Sequence, residues 1–173
     1  MVKHIIRKNM RRILGIDPGF ALLGFGVVDE DGGRQTAVDY GVISTPKEQS
    51  ISQRLLTIHQ GILALIDKYK PDCMAIEELF FFRNQTTIIP VAEARGIKIL
   101  CGIERNLPMY EYTPLQIKQA LTGNGRAEKK QIQFMVKNIL GLEKAPKPDD
   151  AADAVAVALT HLQFNDQLSD NSI

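Results

Sequence analysis

The sequence predicts an α/β domain organised around one short strand, and two observations carry that expectation. The run Ile13-Leu14-Gly15-Ile16 is too short for a helix and rich in branched residues, and Asp17-Pro18-Gly19 ends it at once. A second apolar run, Cys73–Glu77, has no polar alternation and reads as an interior strand beside the first. It too ends in a carboxylate. Pro18 cannot donate to a sheet ladder, and Gly19 supplies the backbone freedom of a tight turn. Asp17 is thereby placed at the carboxyl end of a central strand, where α/β sheets gather their chemistry. Taken alone, such an Asp is a turn former. Its meaning depends on whether other carboxylates reach the same point.

The elements follow in order. Ala21–Asp29 is a second strand, Glu30-Asp31-Gly32-Gly33 a hairpin turn of Asp-Gly type, and Gln35–Ser44 a third strand with Val38, Tyr40 and Val42 on one face. Pro46 then breaks the strand. Ser50 or Ser52 caps a helix whose apolar positions are Ile51, Leu55, Ile58, Ile62, Leu65, Ile66 and Tyr69, and Pro71 stops it. After Cys73–Glu77 comes Phe80-Phe81-Phe82-Arg83-Asn84. Three consecutive phenylalanines cannot share one core face. Packing under a loop accounts better for two of them, and stacking on an unpaired base is open to the other.

Thr86 to Asn106 reads as a helix with little polar face from Ile97 to Ile103, and Pro90 belongs in its first turns. Ala92, Ala94 and Gly96 permit close approach, so this helix is either central to the core or half of a subunit interface. Pro108–Tyr112 is a fifth strand, and Thr113-Pro114 opens a short helix to Leu121. Ala127–Leu140 is a basic amphipathic helix, and a last alanine-rich helix begins at Asp149. Residues 165–173 are polar and expected to fray. The expected organisation is an N-terminal extension over 1–11, one domain over 12–164 and a flexible tail over 165–173.

With 173 residues, 45% hydrophobic and 24% charged, the chain suits one soluble domain. No apolar run reaches the ~18 residues of a membrane span, and the basic N-terminus lacks the apolar region of a signal peptide, so the expected location is cytoplasmic. Cys73 and Cys101 make neither a disulfide framework nor a metal cluster. A net charge of +1 hides an asymmetry: residues 1–12 and residues 114–147 each carry +5, which leaves −9 elsewhere. A basic stripe against an acidic pocket suits a polyanion held over metal-binding carboxylates, although such a run more often marks a solvated face.

Four carboxylates stand out. Asp17 and Glu77 end adjacent strands, and Asp150 and Asp153, three apart, project from one side of a helix start. Each alone reads as structural. Jointly, without histidine partners, they make an all-oxygen site for Mg²⁺ or Mn²⁺. Two such ions about 4 Å apart can activate water and hold the leaving oxygen of a phosphodiester. His4, His59 and His161 lack ligand or triad spacing, and the chain contains no P-loop or nucleophile elbow.

Gly15-Ile16-Asp17-Pro18-Gly19, Ala75-Ile76-Glu77-Glu78, Ala94-Arg95-Gly96 and Asp150-Ala151-Ala152-Asp153-Ala154 together resemble the signature segments of the RuvC family of bacterial Holliday-junction resolvases. The likeness runs in order from about Arg12 to His161. It implies a ribonuclease H-like fold: a five-stranded mixed sheet in the order 3-2-1-4-5, strand 2 antiparallel, with helices on both faces. It also implies a homodimer that cuts two like-polarity strands of a four-way junction, with RuvA and RuvB as partners. By this resemblance Asp17, Glu77, Asp150 and Asp153 are the catalytic, metal-binding acids, expected to hold two Mg²⁺ ions with substrate, Mn²⁺ able to substitute. Lys118 and Lys129 match basic positions near the scissile strand, and Phe80 matches an aromatic that engages bases at the junction centre. Arg83, Asn84, Arg126 and Lys130 complete the candidate DNA contacts. The helix from Thr86 to Asn106 matches the dimer helix. The arm before Met10, Pro90 and Asp149 depart from the family pattern, and none removes a catalytic position.

Three other readings are separable. An actin-like kinase needs a second Asp-x-Gly phosphate loop and a longer chain, and neither is present. A junction-binding module without catalysis has no need of an intact acid set. A ribonuclease H-like nuclease for RNA–DNA hybrid differs only in substrate.

Overall fold

The computed structural model describes residues 10–79, 88–164 and 171–173. Its elements are β1 (Met10–Ile16), β2 (Leu22–Asp31), β3 (Arg34–Ser44), α1 (Ile51–Tyr69), β4 (Cys73–Glu77), α2 (Ile88–Glu104), β5 (Met109–Tyr112), α3 (Pro114–Thr122), α4 (Lys129–Ile139) and α5 (Asp149–Gln163). The sheet order is β3-β2-β1-β4-β5. β2 runs antiparallel to β1 and β3, and β1, β4 and β5 are parallel. This is the ribonuclease H-like arrangement that the resemblance implies.

Strand alternation sorts the core into two layers. From β1, Leu14 and Ile16 join Leu23, Met74 and Ile76 against Ile58, Ile62 and Ile66 of α1 and Ala94 and Cys101 of α2. Ile13 joins Val28, Cys73 and Ala75 on the other face, against Ile117 of α3, Ile132 and Val136 of α4 and the apolar body of α5. Each large aliphatic side chain so buried contributes roughly 1.5–3 kcal/mol. Ser50, not Ser52, caps α1: its hydroxyl accepts from Gln53 N at 3.3 Å while Gln53 Oε1 accepts from Ser50 N at 3.0 Å. Thr113 and Gln116 repeat the device at α3.

Several sequence expectations shift. The hairpin turns on Gly32 (φ 59°) and Gly33 (φ 85°), because a two-residue loop of this hand needs positive φ at both positions. The β2–β3 register shifts between Val27 and Val28, so Val38 is the extra residue and stands 40% exposed rather than sharing a face with Tyr40 and Val42. α2 is described from Ile88, and Pro90 lies in the first described turn; the expected start at Thr86 lies outside the described residues. β1 begins at Met10, paired with Asp31, so Met10 and Arg11 belong to the sheet rather than to an extension. At the far end, Ser172 bridges Tyr110 and Ile173 N donates to Met109 O, so the last residues cover the exposed edge of β5.

Candidate active site

Asp17 follows the last residue of β1 and is 4% exposed. Its Oδ1 accepts N–H bonds from Gly24 at 2.6 Å and Gly19 at 3.1 Å. The turn-forming role therefore exists, and it uses one oxygen. Among the described residues no hydrogen bond engages Oδ2. Glu77 ends β4, whose Ile76 pairs in parallel with Ile16, so the two acids emerge side by side.

α5 brings the other pair. It lies against β1 and β2 at close range because glycines face it. A Cβ on Gly15 would stand 2.1 Å from Ala154 O, and one on Gly24 would stand 1.9 Å from Asp150 O. Gly24 thus touches both arms of the site: its N–H fixes Asp17, and its bare α-carbon seats the backbone of Asp150. Asp153, one turn on, lines a pocket of about 200 Å³ with Glu77, Lys118, Lys129, Pro114, Ile117, Ile132 and Ala156. Lys129 Nζ donates to Asp153 Oδ2 at 2.9 Å and lies 3.6 Å from Asp149 Oδ2. Asp149, the acid beyond the expected four, is also paired with Lys147 at 2.8 Å.

The electrostatics are those of crowded acids. Burial, against the N–H bonds from Gly24 and Gly19, pushes Asp17 up to about 7, with Asp150 adding to the rise. Burial and then Asp153 push Glu77 to about 7 as well, against the pull of Lys98, Lys129 and Lys118. Burial also raises Asp153, although Lys129 opposes it. Among the described residues no three acid, histidine or cysteine side chains close into a ready ligand set. Asp153 is held instead by Lys129. The donor set nonetheless fits a hard divalent cation, being all oxygen, partly desolvated and short of positive charge.

A stability consequence follows. Asp17 and Glu77 keep protons in the folded chain that the unfolded chain has released above about pH 4. Folding of the metal-free protein is therefore less favourable as pH rises through about 7. The expected denaturation midpoint is lower at pH 8 than at pH 5.5. A midpoint that rises with pH in the metal-free protein contradicts this.

The structure places Lys118 and Lys129 in one pocket with Glu77 and Asp153. Lys130 instead lines a neighbouring groove with Thr122, Gln131, Phe134 and Met135, and Arg126 is exposed outside the pocket. Phe80, Arg83 and Asn84 lie outside the described residues. One residue was missed: Lys98, in α2, is 1% exposed and donates to Asp17 O at 2.8 Å. A lone lysine inside the apolar stretch Ile97–Ile103 was the available signal.

Comparison with known proteins agrees with this architecture. The model of the family "Crossover junction endodeoxyribonuclease RuvC" matches residues 13–161. The RuvC of Petrotoga mobilis is 55% identical over 152 residues, 88% of this chain and 93% of its own. That of Fusobacterium nucleatum is 52% identical, over 87% of this chain and 80% of its own. The structure of Thermus thermophilus RuvC in complex with a Holliday junction substrate superposes with a TM-score of 0.85 at 37% identity, covering 89% of this chain and 94% of that one. The chain therefore belongs to the crossover junction endodeoxyribonuclease RuvC family.

Proposed function

We propose that this chain resolves four-way DNA junctions, hydrolysing one phosphodiester in each of two strands of like polarity. The observation that carries the reading is the meeting of Asp17, Glu77 and the acidic start of α5 beside a pocket with Lys118 and Lys129 on its wall. In this reading Asp17, Glu77, Asp150 and Asp153 hold the divalent cations, with Mg²⁺ the physiological ion and Mn²⁺ a substitute. When bound, the ions supply an activated water and stabilise the leaving 3′ oxygen. Asp17, anchored through Oδ1, presents Oδ2. Glu77 completes the strand-end pair. Lys118 and Lys129 would neutralise the scissile phosphate from the pocket wall, and Asp153, which Lys129 holds here, would supply a carboxylate ligand. The products carry 3′ hydroxyl and 5′ phosphate ends that ligate directly.

Junction selectivity would come from a twofold dimer whose two sites meet two strands that only a junction presents together. α2 supports it, with Ile89 68%, Leu100 43% and Ile103 62% exposed beside Ala92 and Gly96. Ile103→Glu is expected to give a monomer by sedimentation and to lose paired cleavage. A dimeric Ile103→Glu protein contradicts this use of α2. Phe80 at the junction centre, with Arg83, Asn84, Arg126 and Lys130 as outer DNA contacts, belongs to the same proposal. So do RuvA and RuvB as partners and a cytoplasmic site of action. Among the described residues no helix is long and apolar enough to cross a membrane.

The test sets a synthetic four-way junction, a linear duplex and an RNA–DNA hybrid side by side with Mg²⁺. The expected result is paired nicks in the junction alone. Preferential cleavage of the hybrid would replace this reading with a ribonuclease.

A further inference from the structure

α2 turns one lysine inward. Lys98 is 1% exposed, it is not among the residues lining the pocket of Lys118 and Lys129, and α2 packs on the sheet face opposite to α3 and α4. Its place is behind the acids rather than on the pocket wall. An ammonium buried to this depth is costly unless fixed charges and hydrogen bonds answer it. The hydrogen bond is to Asp17 O, at 2.8 Å. The attracting charges are Asp17, Glu77 and Glu111, with Arg95 opposing. Glu111 is already engaged, because Arg95 grips both its oxygens at 2.7 Å. That leaves Asp17 and Glu77, the two most crowded acids of the site, as the charge that Lys98 answers.

We propose that Lys98 is a positioning residue for the catalytic acids: a fixed internal counter-charge that pins the end of β1 and answers the crowding of Asp17 by Asp150 and of Glu77 by Asp153. The inference rests on the metal-binding reading of those acids. Lys98 acts from behind the cluster, so it leaves the substrate side open to DNA. It also answers the charge of two desolvated carboxylates that emerge side by side from adjacent strands. With the acids holding cations, Lys98 would serve chiefly through its bond to the Asp17 carbonyl.

The experiment is a double-mutant cycle read by chemical denaturation of the full chain at pH 7.5, without metal and with saturating Mg²⁺. It uses Lys98→Met, Lys98→Gln, Asp17→Asn and the two double variants. Lys98→Gln keeps a donor without charge, and it carries the cycle if Lys98→Met fails to fold. Without metal, removing Lys98 is expected to lower the midpoint, and that cost should fall by about half or more when Asp17 is already Asn. Mg²⁺ should raise the midpoint of the Lys98 variants by more than it raises the native chain. A purely structural lysine gives neither result. Additive costs without metal overturn the assignment whatever Mg²⁺ does. If Mg²⁺ fails to stabilise the native chain, the metal reading of the acids falls instead, and the cycle still decides Lys98.

Discussion

Asp17→Asn leaves the fold and junction binding intact and lowers cleavage by about a thousandfold or more, a loss of the size seen when a preorganised electrostatic group is removed from an active site. The structure separates the two roles of this side chain by oxygen. Oδ1 holds Gly19 and Gly24 through their N–H groups, and the amide oxygen of Asn can accept the same two bonds. Oδ2 makes no hydrogen bond among the described residues, and an NH₂ group in its place cannot serve as an anionic ligand. The variant also removes a charge that burial makes expensive, so the metal-free protein should become more stable rather than less. Denaturation midpoints, a gel-shift of a four-way junction and a nicking time course check the three parts together. Full cleavage by Asp17→Asn would remove this residue from the catalytic set.

Gly24→Ala is the second large effect, and it reaches the chemistry through packing alone. A methyl group there would stand 1.9 Å from the carbonyl oxygen and 2.4 Å from the carbonyl carbon of Asp150. Both are backbone atoms, so no side chain can swing aside. The first turn of α5 must lift from β2, taking Asp150 and Asp153 with it, or β2 must sink and withdraw its N–H from Asp17. The expected cost is about 3 kcal/mol of stability, at the upper end for overpacking. Cleavage should fall about a hundredfold, since displacements of an ångström at a reacting centre have that effect. Native stability and native nicking by this variant would show that α5 does not need its present closeness.

Much of this was legible in the sequence because periodicity is local. The apolar runs ending at Asp17 and Glu77, the capped α1 and the acidic start of α5 each declare themselves within a few residues. Their convergence required the fold, and the fold was reached through an ordered set of motifs rather than through any one of them. What stayed hidden was long-range. Gly15 and Gly24 look like ordinary strand glycines until α5 is laid on them. Lys98 looks like a surface lysine on an apolar helix until its 1% exposure is seen. Val38 fits the alternation of β3, and only the partner strand reveals the bulge. The pairing of Lys129 with Asp153 was hidden in the same way, since the two are 24 residues apart and only the fold brings α4 to the start of α5.

The central claim is that Asp17, Glu77, Asp150 and Asp153 close into one cation site. A crystal of the full chain soaked in Mn²⁺ tests it directly, because the ion reports its own position by anomalous scattering. The predicted result is manganese in contact with carboxylate oxygens of these acids, with Asp153 withdrawn from Lys129. Manganese bound elsewhere, with the Lys129–Asp153 pair unchanged and the four acids still apart, would contradict it.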